Sequence, residues 1–163
     1  MGNRKTRSTV LMTNKTVLTP LKAATIISEK IPFNRELGFE FQFLDENRPV
    51  LRFDMKPELV GNFTRGNLHG GVISSSIDVI GGFASFCALL ERVNLENEDP
   101  EELFSRLGTI DLRVDYLRPG FGKHFEARAW VLRAGRKVAV TRMELHNDSG
   151  DLIAAGTGAY IVG

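Results

Sequence analysis

Apolar and polar residues alternate over the last third of the chain. Ile110, Leu112, Val114 and Tyr116 are interleaved with Asp111, Arg113 and Asp115, the two-residue period of a strand with one buried face. Pro119-Gly120 marks a turn. Further strands are predicted over 123–133, 137–147 and 151–162, with hairpin turns at Gly135 and at Asn147-Asp148-Ser149-Gly150. The same period appears earlier, where Phe39, Phe41 and Phe43 alternate with Glu40 and Gln42, and Leu51, Phe53 and Met55 with Arg52, Asp54 and Lys56. These predict two strands joined by a turn at Asp45–Arg48.

The run Val72–Leu90 breaks this pattern. It is small and apolar, too long for one strand and without alternation, so it predicts a central helix. Thr19 is placed to cap a short first helix with Pro20 at its first position, and Leu21, Ala24, Ile26 and Ile27 give an apolar face up to Pro32. The polar segment Glu91–Arg106, acidic around Pro100, predicts a loop and a short helix. Residues 1–18 are basic and Thr-rich without a period, which predicts an N-terminal extension ahead of one domain over 19–163. Strands grouped in runs, with short connections among the last four, define an α+β class. An antiparallel sheet of five to six strands wrapped around one long central helix is expected.

Composition narrows the function classes more than the fold. The 163 residues are 42% apolar and 25% charged, which gives no support to a disordered, collagenous or disulfide-scaffold reading. Lys and Arg total 21 against 20 Asp and Glu, a formal charge of +1. That balance argues against a polyanion as main partner, so no nucleic acid is expected. Cys87 is the only cysteine, which rules out an intrachain disulfide and predicts a small buried residue in a reducing compartment. Val10-Leu11-Met12 is too short for a secretory core, and Asp78 with several Ser and Gly interrupts Val72–Leu90. A soluble, cytoplasmic protein with no membrane partner is expected.

Candidate chemistry concentrates where the glycine-rich segment Gly61–Gly71 runs into the central helix. The first N–H groups of a helix have no internal acceptor and lie at the positive end of its dipole, so they attract developing negative charge. The Gly70 or Gly71 amide is a candidate oxyanion donor, and the paired glycines allow close approach. Asp78 follows two turns on. Ser74, Asp78, Gly82 and Ser85 form a small polar stripe, while Ile73, Ile77, Ile80 and Ala84 are expected to face the sheet.

A lone acid in so apolar a helix is costly unless solvated, paired or functional. Asp78 is therefore either a candidate catalytic group or a carboxylate satisfied by Ser74, Ser75 or a neighbouring chain. His69 is a general base or, more in keeping with its place before two glycines, a cap that orients the loop. Asn62 and Asn67 can donate amide N–H groups or simply form the turn. The chain has no Gly-x-Ser-x-Gly elbow, phosphate loop or His-Glu-x-x-His helix. With His69, His124 and His146 scattered, no metal is predicted.

His69-Gly70-Gly71 followed by Asp78, a His-Gly-Gly-x6-Asp pattern, resembles the signature of the hot-dog-fold acyl-CoA thioesterases of the phenylacetate-degradation type. Leu68–Ile73, Gly108–Gly120 and Lys137–Val140 are similar to bacterial members that act on medium- and long-chain acyl-CoA. The likeness covers roughly residues 20–163. It implies Asp78 as general base or nucleophile, the Gly70 amide as oxyanion hole, no cofactor, and a homodimer or dimer of dimers whose sites lie between subunits. Residues Gly71 and Asn62 are implied substrate contacts, and Phe63, Val79 and Phe83 walls for an acyl chain. Arg118, Arg136 and Lys137 sit at turn edges where CoA phosphates bind in such proteins, though each also reads as an ordinary solvated charge.

Two departures stand out. Many relatives carry the loop asparagine six residues before the histidine, where this chain has Phe63, with Asn62 one position earlier. The Ser or Thr that assists the acid in some relatives has no evident counterpart, because Glu91–Arg106 lengthens the connection. Alternative readings are a dehydratase of 3-hydroxyacyl thioesters, disfavoured by the Gly-Gly pair, and a non-catalytic acyl-CoA-binding protein.

Overall fold

In a computed structural model the protein is described over residues 19–44, 48–93 and 100–163. The extension proposed for residues 1–18 lies outside this range. Thr19 caps helix α1 (Pro20–Lys30), its side chain accepting the Lys22 N–H, and the chain then turns at Ile31 into α2 (Pro32–Leu37). Pro32 was expected only to end the first helix. It also starts a second, because its fixed φ suits a first helical position as well as it blocks a helix interior. Gly38 closes α2 in the left-handed region at φ 72°, where a glycine meets no steric penalty.

Strands β1 (Glu40–Phe43) and β2 (Pro49–Asp54) pair antiparallel. Of the turn expected at Asp45–Arg48, residues 45–47 lie outside the described range. Its ends are joined by the Leu44 N–H donating to the Arg48 carbonyl. A single 3₁₀ turn at Pro57–Leu59 leads to β3 (Val60–Asn62) and β4 (Asn67–Leu68), a small hairpin where the sequence suggested only loop. Strands this short carry no readable period.

The long helix α3 (Gly70–Leu90) follows, then α4 (Pro100–Ser105), and strands β5 (Gly108–Tyr116), β6 (His124–Ala134), β7 (Val138–Asn147) and β8 (Leu152–Ile161). Six strands form one antiparallel sheet in the order β1-β2-β6-β7-β8-β5. The sheet wraps α3, which is the hot-dog arrangement.

Ile73, Ile77, Ile80 and Ala84 are buried with Leu51, Phe53, Phe125, Met143 and Leu145, so the face of α3 expected to meet the sheet does so. Ile77 and Ile80 are wholly buried, each contributing about 1.5–3 kcal/mol. A second cluster joins Ala23, Ala24 and Ile27 of α1 to Phe83, Phe86, Cys87 and Leu90 of α3 and Leu103 of α4. These helices cover the side of α3 that the sheet leaves open. The stripe of Ser74, Asp78, Gly82 and Ser85 is consequently not continuous. Gly82 and Ser85 are buried, and the Ser85 hydroxyl donates to the Gly81 carbonyl at 2.9 Å.

Although α3 is long and apolar enough to span a bilayer, most of it is buried inside the domain, as a core helix should be. Cys87 is buried on it, as expected.

Candidate active site

The segment before α3 is tied down at successive residues. The Leu68 N–H donates to the Gly120 carbonyl at 2.9 Å and the His69 N–H to the Leu59 carbonyl at 2.8 Å. Gly61 lets the hairpin close, since a Cβ there would come within 2.6 Å of His69 Cα. His69 is the N-cap of α3, and its Nδ1 accepts the Gly71 N–H at 2.8 Å. That bond puts the ring proton of neutral imidazole on Nε2.

Gly71 is thereby satisfied, whereas the Gly70 N–H donates to no acceptor among the described residues. It sits at the positive end of a helix of 21 residues, free to receive a negatively charged oxygen. The Tyr116 hydroxyl, at the far end of β5, donates to the Gly70 carbonyl at 3.2 Å and holds this first turn against the sheet.

Asp78 is half-buried two turns along α3. Neither Ser74 nor Ser75 reaches its carboxylate, because both hydroxyls donate to the Gly71 carbonyl. The partner is Thr109, at the start of β5, whose hydroxyl donates to Asp78 Oδ1 at 2.9 Å. Sequence spacing gave no hint of it, since the long connection between α3 and β5 separates the two by 31 positions.

Beneath the acid, the Tyr160 hydroxyl donates to the Asp78 backbone carbonyl at 3.2 Å. Burial, and then the Asp78 charge, raise this phenol well above its ordinary pKa, so it stays a neutral donor. Its space depends on Gly81, where a Cβ would overlap the hydroxyl.

Two cavities flank these groups. The Asp78 side opens into one of about 250 Å³ between α1, α2, α3, α4 and the start of β5. Val79 and Phe83 line it, and Phe83, 1% exposed, also belongs to the helix core. Phe63 does not share it within one chain; it stands at the tip of the β3–β4 hairpin, 93% exposed.

The Gly70 side faces a cavity of about 360 Å³ that takes in Asn62, Arg65, Asn67, Tyr116 and Arg118. Arg118 is thus brought beside Gly70, with Nη1 donating to the Leu152 carbonyl at 2.9 Å. Arg65, not singled out from the sequence, joins it, its guanidinium 5.9 Å from the Phe121 ring centroid. The Asn62 carboxamide oxygen accepts from the Thr64 N–H, the Thr64 hydroxyl and the Arg65 N–H, so it organises this turn with its side-chain oxygen. Arg136 and Lys137 lie on the β6–β7 turn. The adjoining Gly135 carbonyl accepts from Arg92 just beyond α3, at the opposite end of that helix from Gly70. No cluster of three or more His, Cys, Asp or Glu suited to a metal occurs among the described residues.

A helix N-terminus with an unpaired glycine amide, and a helix carboxylate beside a cavity, thus lie inside a six-stranded wrap, which makes the scaffold that of a hot-dog protein. The Thioesterase superfamily model matches residues 65–154, more than half of the chain, and the chain belongs to that superfamily.

Among known proteins it is 45% identical over 152 residues to the medium/long-chain acyl-CoA thioesterase YigI of Escherichia coli strain K12, covering 90% of this chain and 98% of the relative. A crystal structure from Shewanella oneidensis, described as related to the thioesterase superfamily, is 44% identical, with a TM-score of 0.80 over 88% of this chain and 94% of the other. Zebrafish thioesterase superfamily member 2 shares the fold at a TM-score of 0.68 and 22% identity, over 90% of this chain and 99% of its own.

Proposed function

We propose that this protein hydrolyses medium- to long-chain fatty acyl-CoA to the free fatty acid and CoA, acting in the cytoplasm through one domain over residues 19–163. The observation that carries this reading is the Asp78 carboxylate, fixed by Thr109 at 2.9 Å beside a mostly apolar cavity. Thr109 occupies one carboxylate oxygen and leaves the other to accept a proton from water. That water adds to the thioester carbonyl, and the resulting oxyanion is received by the Gly70 N–H. Collapse of the tetrahedral intermediate breaks the C–S bond and expels the CoA thiolate, which takes up the proton held by Asp78. Direct attack by Asp78, giving an anhydride that water then opens, uses the same groups. His69 supports the reaction by capping Gly71, which leaves Gly70 as the available donor.

Asp78 and Gly70 are about 12 Å apart along α3 at 1.5 Å per residue, too far for both to reach one carbonyl in a single chain. The open edge of the sheet supports a site shared between two copies. Strand β5 holds Asp78 of α3 through Thr109 at one end and Gly70 of α3 through Tyr116 at the other. Antiparallel pairing of β5 with a second copy across a two-fold axis would bring Asp78 of one subunit toward Gly70 of the other. Exposed Ile110, Tyr116 and Leu117 on and beside that strand support such a dimer. Arg118 and Arg65 beside Gly70 suit the CoA phosphates.

Asp78→Ala should reduce thiol release from medium- and long-chain acyl-CoA by at least about 1,000-fold with the fold retained. Turnover within a few-fold of wild type would contradict the assignment.

A further inference from the structure

The cavity beside Asp78 draws its walls from outside the family's common part. Ile27, Ile31, Phe33 and Asn34 of the α1–α2 region line it, and all four precede residue 65, where the family model begins. Phe104 and Leu107, in and just beyond α4, complete the cover, while Val79, Gly82 and Phe83 of α3 form the floor. The reacting groups, Asp78 and Thr109, share one region of this space. Gly82 lies four residues, about 6 Å, further along α3, and Phe83 is held there by the Phe41 and Phe43 rings at 4.5 and 5.9 Å.

The cover is rigidly built. Asn34 is 1% exposed, its Nδ2 donates to the Ile27 carbonyl at 3.2 Å and its own carbonyl accepts the Phe39 N–H at 3.0 Å. Those bonds lock α2 to α1 and to the start of the sheet. Phe33 is left 56% exposed at the rim of the cavity, where its ring can lie against an apolar chain that extends out of it.

From this geometry we infer that the α1–α2 elbow is the roof of the fatty acyl site and that Gly82 and Phe33 set the chain length accepted, Gly82 by leaving depth beyond Asp78 and Phe33 by covering the distal part of a long chain. The inference rests on the hydrolytic reading above. Gly82 suits this role because a Cβ there would meet only the Tyr160 ring, at 3.5 and 3.6 Å, an ordinary contact. The protein therefore tolerates a side chain at 82, and a larger one takes its room from the cavity.

The test is thiol release by the full chain across a panel from butyryl-CoA to palmitoyl-CoA, comparing wild type with Gly82→Ala, Gly82→Leu and Phe33→Ala. Gly82→Ala keeps a good helix former and guards against misfolding as an explanation. The ratio of kcat/KM for palmitoyl-CoA to that for butyryl-CoA should fall in the order Ala then Leu at 82, by about tenfold for each methylene excluded. Phe33→Ala should raise KM for the long substrates more than for the short ones. A parallel change at all chain lengths would overturn the inference.

Displacement of a bound fluorescent fatty acid by palmitate separates this outcome from failure of the hydrolytic reading. A wild type that releases no thiol contradicts hydrolysis. If palmitate still binds wild type more tightly than Gly82→Leu, the acyl site stands; equal affinity, or no binding to either, removes it.

Discussion

Asp78 is the one charged residue of α3, whose other positions are apolar, glycine or serine. A carboxylate persists there because Thr109 donates to one of its oxygens and the group is only half-buried. The Gly70 amide has a similar character: a donor left unpaired where the next amide along is capped.

Proline at a first helical position removes only an N–H that the helix does not need, and His69 already has the extended ψ of 137° that a following proline requires. Gly70→Pro should therefore keep the fold and lower kcat by roughly 100-fold, read by steady-state thiol release beside a thermal melt.

Two adjacent glycines give a second residue-level expectation. Gly81→Ala should destabilise by about 1–3 kcal/mol through collision with the Tyr160 hydroxyl. Gly82→Ala should be neutral or stabilising by up to about 1 kcal/mol, and urea unfolding of both variants reads the contrast.

The acid and the glycine pair were legible in the sequence because contiguous spacing within one helix and its cap carries them. Thr109 and Tyr160 were not, because their contacts with Asp78 are made by strand register and not by spacing. Asn62 reads as ligand or turn residue from sequence, and the three bonds its side-chain oxygen accepts show a turn that spacing alone does not reveal.

Elements with a sustained period were readable and short ones were not. The four C-terminal strands and α3 follow their hydrophobic pattern to within two residues at their ends. By contrast α2, β3 and β4 are too brief to show a period, and the site depends on them: the hairpin fixes His69, and α2 covers the cavity. The α1, α3 and α4 cluster also contains Cys87.

Burial first, then the Glu91 charge, pushes the Cys87 thiol up from 9.0 to about 12. An unfolded chain begins to lose that proton near pH 9, whereas the folded chain keeps it until about pH 12. Stability from this source is therefore complete below about pH 9 and falls as pH rises toward 12. Tyr160, raised above its ordinary 10.0, adds to the loss at higher pH. Chemical denaturation from pH 8 upward should show the decline, with Cys87→Ala flattening its first part. A thiol reagent should label Cys87 only as fast as the helix cluster opens.

At the scale of the molecule, the sheet begins at β1 and ends at β5, and the two halves of the candidate site lie at opposite ends of that last strand. Within one chain the Asp78 carboxylate and the Gly70 amide face different cavities. Light scattering should give a mass of at least twice 18.1 kDa, and a mass of one chain would contradict the shared site. Sequence periodicity could indicate the sheet but not its open edge, because the order of strands depends on which hairpins close against which neighbours.

The most direct measurement uses a mixed dimer purified through two different tags, one subunit carrying Asp78→Ala and the other Gly70→Pro. One of its two sites would then combine an intact Asp78 with an intact Gly70. Thiol release from a long-chain acyl-CoA should return to about half the wild-type rate, given two equivalent sites related by a two-fold axis, while each variant alone stays nearly inactive. A mixed dimer no more active than its parents would contradict a hydrolytic site shared between chains.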